Sequence, residues 1–262
     1  MAQLNESRHF NTRIALPTIS PKGTTVPNQH TTPFLGILML DTAFPRILGD
    51  AGNPDSYDLP ARTRVIKNAG SLNIVKNGRP DEALVQQFCQ AAQELETEGA
   101  IALVSTCGFL ISVQNDIARS VSIPVTLSSL SLYPLLSNMF GKRPIGIMTA
   151  SQSSLGDQVL KAAGIAAEDV RIIGFEDVPA FADAILRAKA EQLTTLDAQA
   201  IEQAAIAKAK TLIKATPEIK AILLECGNLP PYANAIHQAT GLPVFSILDA
   251  ARLMCLASRH TR

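Results

Sequence analysis

Two cysteines occupy equivalent places in a sequence that repeats itself. Cys107 and Cys226 each follow a short run of apolar residues and each precede a glycine. They are separated by 119 positions (226 − 107), and the same offset (243 − 124) separates Pro124 from Pro243 in two downstream Pro-Val segments. The repeat predicts two related half-domains, each presenting one thiol at the same structural position. A pair of facing thiols can remove a proton from one side of a carbon and deliver a proton to the other.

The predicted position of both thiols favours reactivity. Each cysteine should lie at the carboxyl end of a parallel strand and the start of a helix, the edge at which open α/β sheets bind ligands. A helix N-terminus offers free N–H groups and a partial positive charge, so we expect thiol pKa values lowered from about 8.5 toward roughly 3.5–7.5. Gly108 and Gly227 would leave room for a ligand. Cys89 and Cys255, which neighbour large apolar residues, are interpreted as packing residues.

The elements that must hold these thiols alternate along the chain. Near-continuous apolar runs such as 34–40, 101–105 and 144–148 predict buried strands, and the amphipathic stretches between such runs predict helices. This alternation is typical of parallel α/β sheets that are covered on both faces. Together with the repeat, it predicts two pseudo-symmetric parallel-sheet α/β lobes, with the site in the cleft between them.

Composition and pattern divide the chain into three predicted segments. Residues 1–32 are polar and contain several prolines, which predicts a flexible N-terminal arm. Residues 33–131 are assigned to the first α/β lobe, joined by a C-terminal helix over 248–262 that packs back on it. Residues 132–247 are assigned to the second α/β lobe.

The overall composition narrows the function classes. The 23 basic and 23 acidic residues balance and the chain has no Trp, so we expect no nucleic-acid partner. No apolar run approaches the roughly 20 residues that span a bilayer, so we expect no membrane partner. The four cysteines form no C-x-x-C pair and lack zinc-ligand spacing, which predicts no metal site and a cytoplasmic location with free thiols. A homodimer is compatible with this sequence.

The repeated Cys-Gly strand ends and the segment 146–151, Gly-Ile-Met-Thr-Ala-Ser, resemble the aspartate/glutamate/hydantoin racemase superfamily. The resemblance extends from Pro33 to the end of the chain. Members of that superfamily have two pseudo-symmetric α/β lobes, a cofactor-free site between them, and one cysteine from each lobe beside the substrate α-carbon. The resemblance therefore implies that Cys107 and Cys226 are the two catalytic bases of an enzyme that uses no cofactor.

The resemblance also implies a pocket for a carboxylate between the lobes. Hydroxyl side chains and backbone N–H groups at strand ends would hold the carboxylate, and Arg46 is a candidate partner for a distal carboxylate of the substrate. The segment around Arg46 is also typical of turns. The predicted substrate-binding residues are Asp41, Thr42, Arg46, Thr106, Gly108, Phe109, Thr149, Ser151, Gly227 and Asn228.

These residues lead to the hypothesis of a cofactor-independent racemase or epimerase. Such an isomerase would invert a carbon next to a carboxylate or amide carbonyl by proton transfer between two thiols, with an amino acid, a related small carboxylate or a cyclic amide as substrate. Gly108-Phe109 stands where amino-acid racemases of this group carry Asn-Thr, so Phe109 and Leu110 either make the pocket wall less polar or begin the buried face of the next helix. Two alternatives stay open: a maleate isomerase-like or arylmalonate decarboxylase-like enzyme of the same superfamily, and a non-catalytic protein that binds small acids.

Overall fold

Two parallel sheets of four strands each organise residues 32–259, the part of the chain that the computed structural model describes. The first sheet contains β1 (Phe34–Leu40), β2 (Ala61–Ile66), β3 (Ala100–Ser105) and β4 (Val125–Thr126), in the order β2-β1-β3-β4. The second contains β5 (Ile145–Thr149), β6 (Val170–Gly174), β7 (Ala221–Leu224) and β8 (Val244–Phe245), in the order β6-β5-β7-β8. The predicted α/β fold with two parallel-sheet lobes is confirmed.

The two sheets share one strand order, so each strand of the first has a counterpart in the second. The strands that precede the cysteines, β3 and β7, pair in parallel with the first strand of their own sheet. The register places Leu38 opposite Ser105 and Met148 opposite Leu224. Both cysteines therefore follow the carboxyl end of a central strand, as the repeat predicts.

Helices connect the strands as crossovers between parallel neighbours. Among residues 32–259 they are α1 (Ser71–Ile74), α2 (Glu82–Thr97), α3 (Gln114–Ser120), α4 (Tyr133–Met139), α5 (Asp157–Ala162), α6 (Pro179–Phe181), α7 (Ala198–Ala215), α8 (Ala233–Thr240) and α9 (Ile247–Arg259). No helix in this range is both long and apolar enough to cross a bilayer.

The two long helices α2 and α7 show how the sequence specifies these elements. The predicted inner positions of α2, Phe88 and Leu95 among them, are buried against the first sheet. The chain leaves this helix at Gly99, whose φ of 100° favours glycine. Helix α7 begins after Asp197, whose side chain accepts a hydrogen bond from the Ala200 N–H at 2.9 Å.

Strands β3 and β7 are buried at every residue, because helices cover each sheet. Helix α9 returns to the first sheet, where the Thr126 hydroxyl donates a hydrogen bond to Met254 Sδ at 3.2 Å. The Ser129 hydroxyl donates to the Leu224 carbonyl at 2.7 Å and so ties the end of the first lobe to β7. The predicted arm over 1–32 lies outside the described residues except for Thr32, and the predicted last helix is described as far as residue 259.

Candidate active site

The thiols of Cys107 and Cys226 line one small, largely enclosed cavity between the two sheets. Cys107 follows β3 and precedes a 3₁₀ helix over Gly108–Val113, and Cys226 follows β7. Their exposed fractions are 7% and 6%, so the protein encloses both sulfur atoms almost completely. Each lobe thus contributes one thiol to a shared, largely enclosed space.

The glycine after each cysteine lets the backbone of the opposite lobe approach. A Cβ on Gly227 would lie 2.5 Å from the carbonyl oxygen of Thr106, the residue before Cys107. A Cβ on Gly108 would lie 2.7 Å from the carboxyl carbon of Glu225, the residue before Cys226, and nearer still to its carbonyl oxygen. Real Cβ atoms do not come within 3.0 Å of other atoms in this way. The two Cys-Gly turns therefore cross each other, and this contact between lobes requires glycine at both positions.

Matching backbone groups bind the two sulfur atoms. The N–H of Phe109 donates to Cys107 Sγ and the N–H of Asn228 donates to Cys226 Sγ, and each of these hydrogen bonds favours the thiolate. The Cys226 thiol also donates to Asn228 Oδ1 at 3.4 Å. The repeat therefore preserves a donor to the sulfur as well as the cysteine itself.

Burial outweighs these donors at both thiols. It raises the pKa of Cys107 to about 12, with a contribution from the negative charge of Glu225, while the Phe109 N–H and the Arg46 guanidinium act in the opposite direction. Burial also raises the pKa of Cys226 well above its usual range, and Glu225 and Asp50 add to the increase. The prediction of lowered thiol pKa values is wrong, because enclosure removes the water that would stabilise a thiolate.

Glu225 is a third titratable group in the cavity, and the sequence interpretation did not include it in the site. Only 1% of its surface is exposed. Its Oε2 accepts a hydrogen bond from the Thr149 hydroxyl at 2.7 Å, whereas its Oε1 is buried with no hydrogen-bond partner among the described residues. Burial raises the pKa of Glu225 to about 7, although Thr149 and the Ala150 N–H favour the charged form. A single acidic residue at the end of the apolar run 221–224 was the available signal.

A network across the lobes fixes a guanidinium in the cavity wall. Arg46 donates to Asp50 Oδ1 at 3.2 Å and to Thr42 Oγ1 at 2.9 Å, and it lies 4.3 Å from the centre of the Phe44 ring. Asn228 of the second lobe donates to Asp50 Oδ2 at 2.7 Å. The charge of Arg46 is thus balanced by Asp50 yet remains close enough to lower the pKa of Cys107.

The cavity brings together most of the predicted site residues. Those that line it are Thr42, Arg46, Thr106, Cys107, Gly108, Phe109, Cys226 and Asn228. The others lie around it: Asp41 forms an ion pair with Lys189, Thr149 holds Glu225, Ser151 bonds to Ser153 and Ser154, and Gly227 packs on Thr106. Lining residues that the sequence interpretation did not include are Leu40, Phe44, Ser71, Val75, Ala150, Ile185 and Glu225.

A segment of the second lobe, residues 179–192, covers the cavity; we call it the cover segment. It contains α6 and a π-helical turn over Ala182–Leu186, and Ile185 of this turn lines the cavity. The Ser71 hydroxyl donates to the Ile185 carbonyl at 2.6 Å, and the buried Gln192 accepts from the Ala43 N–H at 2.8 Å. These bonds connect the cover segment to the first lobe beside the part of the cavity that Ile185 lines.

The arrangement suits proton transfer at carbon. It combines two thiols with one carboxyl group and one guanidinium in a space from which water is largely excluded, which strengthens electrostatic interactions with a bound acid. Among the described residues no three His, Cys, Asp or Glu side chains cluster as metal ligands do.

Curated relatives of the chain are lyases. A dimethylsulfoniopropionate lyase from Durusdinium sp. clade D is 32% identical over 224 residues, which cover 83% of this chain and 72% of that protein. Dimethylsulfoniopropionate lyase 7 from Emiliania huxleyi (strain CCMP1516) is 34% identical over 225 residues, covering 83% of this chain and 65% of that protein. Lyase 3 of the same organism is 32% identical, and the chain spans 59% of its length. No family model matches the chain.

Solved structures share the fold at low sequence identity. An unliganded arylmalonate decarboxylase is 19% identical with a TM-score of 0.54, covering 85% of this chain and 93% of that chain. An allantoin racemase from Klebsiella pneumoniae is 15% identical with a TM-score of 0.54, covering 87% of both chains. The chain therefore has the fold of arylmalonate decarboxylase and allantoin racemase, which the resemblance to the aspartate/glutamate racemase superfamily predicts, and it belongs to the family of the curated dimethylsulfoniopropionate lyases.

Proposed function

We propose that this protein is a lyase that acts on dimethylsulfoniopropionate or a closely similar short acid with a sulfonium group on the β-carbon. The observation that carries the proposal is the cavity in which thiols from both lobes meet Glu225 and Arg46. The identity to curated lyases supports this reaction over the isomerase of the sequence hypothesis, which stays a prediction.

The reaction needs one base at the carbon next to the carboxylate. A thiolate takes the α-hydrogen as a proton, and the electron pair of the C–H bond becomes the second bond between the α- and β-carbons. The bond between the β-carbon and sulfur breaks with its electron pair on sulfur. The products are dimethyl sulfide, acrylate and a cysteine thiol, which then returns its proton to solvent, so atoms and charge balance.

Cys107 is the better candidate for the base. Glu225 opposes and a backbone N–H favours the thiolate at both cysteines, but Arg46 favours only the thiolate of Cys107, whereas Asp50 opposes that of Cys226. The Cys226 thiol also donates a hydrogen bond to Asn228 Oδ1. A bound sulfonium cation would add a positive charge to the cavity and lower the pKa of Cys107. The substrate would thus help to form the base that attacks it.

Two further features support the reaction. Arg46 and Thr42 provide hydrogen-bond donors for the substrate carboxylate, where negative charge increases as the proton leaves the α-carbon. The cover segment excludes water, which strengthens the attraction between these donors and that charge.

The test is turnover of dimethylsulfoniopropionate by the purified full chain, with dimethyl sulfide measured by gas chromatography. We expect product from the unaltered protein and a loss of about 10²–10⁴-fold in Cys107→Ala. Cys89→Ala, which removes a half-buried thiol on α2 outside the cavity, is the matched control and should retain full activity. No product from the unaltered protein, or full activity in Cys107→Ala, would refute the proposal.

Racemisation is the second candidate, because it makes use of both thiols. The matching donors at Cys107 and Cys226 favour it, since inversion requires an acid and a base on opposite faces of one carbon. Incubation with chiral α-substituted acids in deuterated water distinguishes the two reactions. Deuterium at the α-carbon without loss of a β-substituent, abolished in Cys107→Ala and in Cys226→Ala alike, would support racemisation instead.

A further inference from the structure

We infer that Glu225 is the cation-binding subsite of this cavity, where the sulfonium or quaternary ammonium group of a short zwitterionic acid binds. The inference rests on the proposed function, because it explains how the same site would recognise a substrate that carries a positive charge as well as a carboxylate.

One oxygen of Glu225 is already occupied and the other is not. Oε2 accepts a hydrogen bond from the Thr149 hydroxyl at 2.7 Å, and Thr149 and the Ala150 N–H, both at the end of β5, favour the charged carboxylate. Oε1 is fully buried and has no hydrogen-bond partner among the described residues. A buried carboxylate oxygen without a partner is unfavourable, so this position calls for a ligand or a proton.

No cation within residues 32–259 neutralises this carboxylate. The groups that face it are Thr149 and Ala150 at the end of β5, Gly108 from the opposite lobe, and the two thiols, whose pKa values it raises. Arg46, the positive group in the cavity wall, pairs with Asp50. The place beside Oε1 is therefore negative and lacks a positive partner from the described protein.

An onium group matches this place better than an ammonium or a hydroxyl group. An onium group carries a full positive charge but no N–H or O–H. It therefore binds to an anion and an apolar surface, and it does not require hydrogen-bond acceptors in fixed directions. Phe109 lies in the same lining, and an aromatic ring attracts such cations. With Arg46 as the candidate partner of the carboxylate, the cavity offers opposite charges to the two ends of one small zwitterion.

The charge of the subsite should vary near neutral pH. Burial raises the pKa of Glu225 to about 7, so the carboxylate is mostly protonated at pH 6 and mostly ionised at pH 8. Binding of an onium ligand should therefore strengthen with pH across this range. Both thiols, with pKa values well above 8, contribute no change of charge in this interval.

The experiment compares two unreactive ligands of the same shape. These are 3-(trimethylammonio)propanoate and 4,4-dimethylpentanoate, which has the same carboxylate but a carbon atom in place of the positively charged nitrogen. Each is titrated calorimetrically into the full chain at pH 8. From the attraction between opposite charges a few ångströms apart in a partly buried site, we expect a preference of about 10- to 100-fold for the ammonium ligand. Glu225→Gln should reduce the preference to about one while the affinity for 4,4-dimethylpentanoate changes less than about twofold. Glu176→Gln, which alters an acidic residue outside the cavity, is the matched control.

The remaining outcomes each decide the question. If Glu225→Gln keeps the preference but loses turnover, Glu225 accepts a proton from a thiol and the inference is overturned. If Glu225→Gln does not fold, the unaltered protein decides, because a preference that stays constant from pH 6 to pH 8.5 also overturns the inference. A protein that prefers the ammonium ligand yet releases no dimethyl sulfide would refute the proposed function and leave the cation subsite standing.

Discussion

The crossing of the two Cys-Gly turns makes a sharp prediction about alanine at positions 108 and 227. A methyl group at either position would lie well inside the 3.0 Å limit for Cβ contacts, at 2.5 Å from the Thr106 carbonyl oxygen for Gly227. At Gly227 the nearest atoms belong to the Thr106 backbone, and at Gly108 they are the carbonyl oxygen and the carboxyl group of Glu225, which Thr149 holds in place. Neither set can rotate away as an unrestrained side chain can. The lobes must therefore move apart locally by about 1 Å to reach ordinary contact distances.

The expected magnitude follows from that displacement. Overpacking of a rigid interior costs about 1–3 kcal/mol, so Gly108→Ala and Gly227→Ala should each reduce the free energy of unfolding by about 2–3 kcal/mol. For a domain of this size the melting temperature should fall by about 5–10 °C. Because the same shift separates the two thiols, turnover should fall by about 10²-fold, the usual effect of a 1 Å misplacement.

Urea denaturation followed by circular dichroism measures the stability, and the substrate assay measures turnover. Gly70→Ala is the matched control, since its nearest neighbour, the Asp41 carbonyl oxygen, would lie 4.0 Å from the new Cβ and its φ of −77° suits alanine. If both tested variants fall within about 0.5 kcal/mol of the unaltered protein, the lobes do not cross at the cysteines as described.

Three further predictions concern the groups around the cavity. First, the free energy of unfolding should fall with rising pH because of Glu225. Between its ordinary pKa of 4.5 and the raised pKa of about 7, the folded state retains a proton that the unfolded chain has lost. The free energy of unfolding should therefore decrease by about 3 kcal/mol between pH 4 and pH 8. Urea midpoints of the unaltered protein and Glu225→Gln should converge at low pH and diverge above pH 5, and parallel curves would contradict this explanation. Second, iodoacetamide should alkylate Cys107 before Cys226, because Arg46 favours the thiolate of Cys107 and Asp50 opposes that of Cys226. Peptide mass mapping over time measures the order of labelling. Earlier labelling of Cys226 would make Cys226 the better candidate for the base. Third, Gln192→Ala removes a buried hydrogen bond between the cover segment and Ala43, so it should raise KM by about 5- to 10-fold and lower kcat by less. Steady-state kinetics measure both constants; the control is Gln93→Ala, which removes a side-chain hydrogen bond to the Ser120 carbonyl outside the cavity lining. An unchanged KM in Gln192→Ala would show that the cover segment takes no part in substrate binding.

The sequence repeat was sufficient to predict the fold and the meeting of the thiols. Because strands β3 and β7 are apolar throughout, their burial and parallel pairing follow from local pattern, and the common offset places Cys107 and Cys226 at matching strand ends. Two lobes of this kind bury their sites between them, so the shared cavity also follows from the duplication.

The properties that sequence reasoning missed depend on distances between segments far apart in the chain. The pKa values of the thiols were predicted in the wrong direction, because their enclosure comes from the opposite lobe and from the cover segment. The sequence offered only the position of Glu225 after an apolar run, and the burial of its Oε1 without a hydrogen-bond partner among the described residues depends on the opposite lobe. Arg46 was predicted as a carboxylate partner, but its ion pair with Asp50, four residues away, was not. The hydrogen bond from Asn228 that holds Asp50 spans 178 residues of sequence.

The crossed Cys-Gly turns also determine how a substrate must enter. A hinge motion that moved the two lobes apart would have to break main-chain contacts at the two cysteines, so we expect the spacing of the sulfur atoms to change little when a ligand enters. The cover segment is held to the first lobe by side-chain hydrogen bonds, so its displacement would disturb fewer contacts at the thiols. We therefore expect a ligand to enter beneath the cover segment and not between separating lobes.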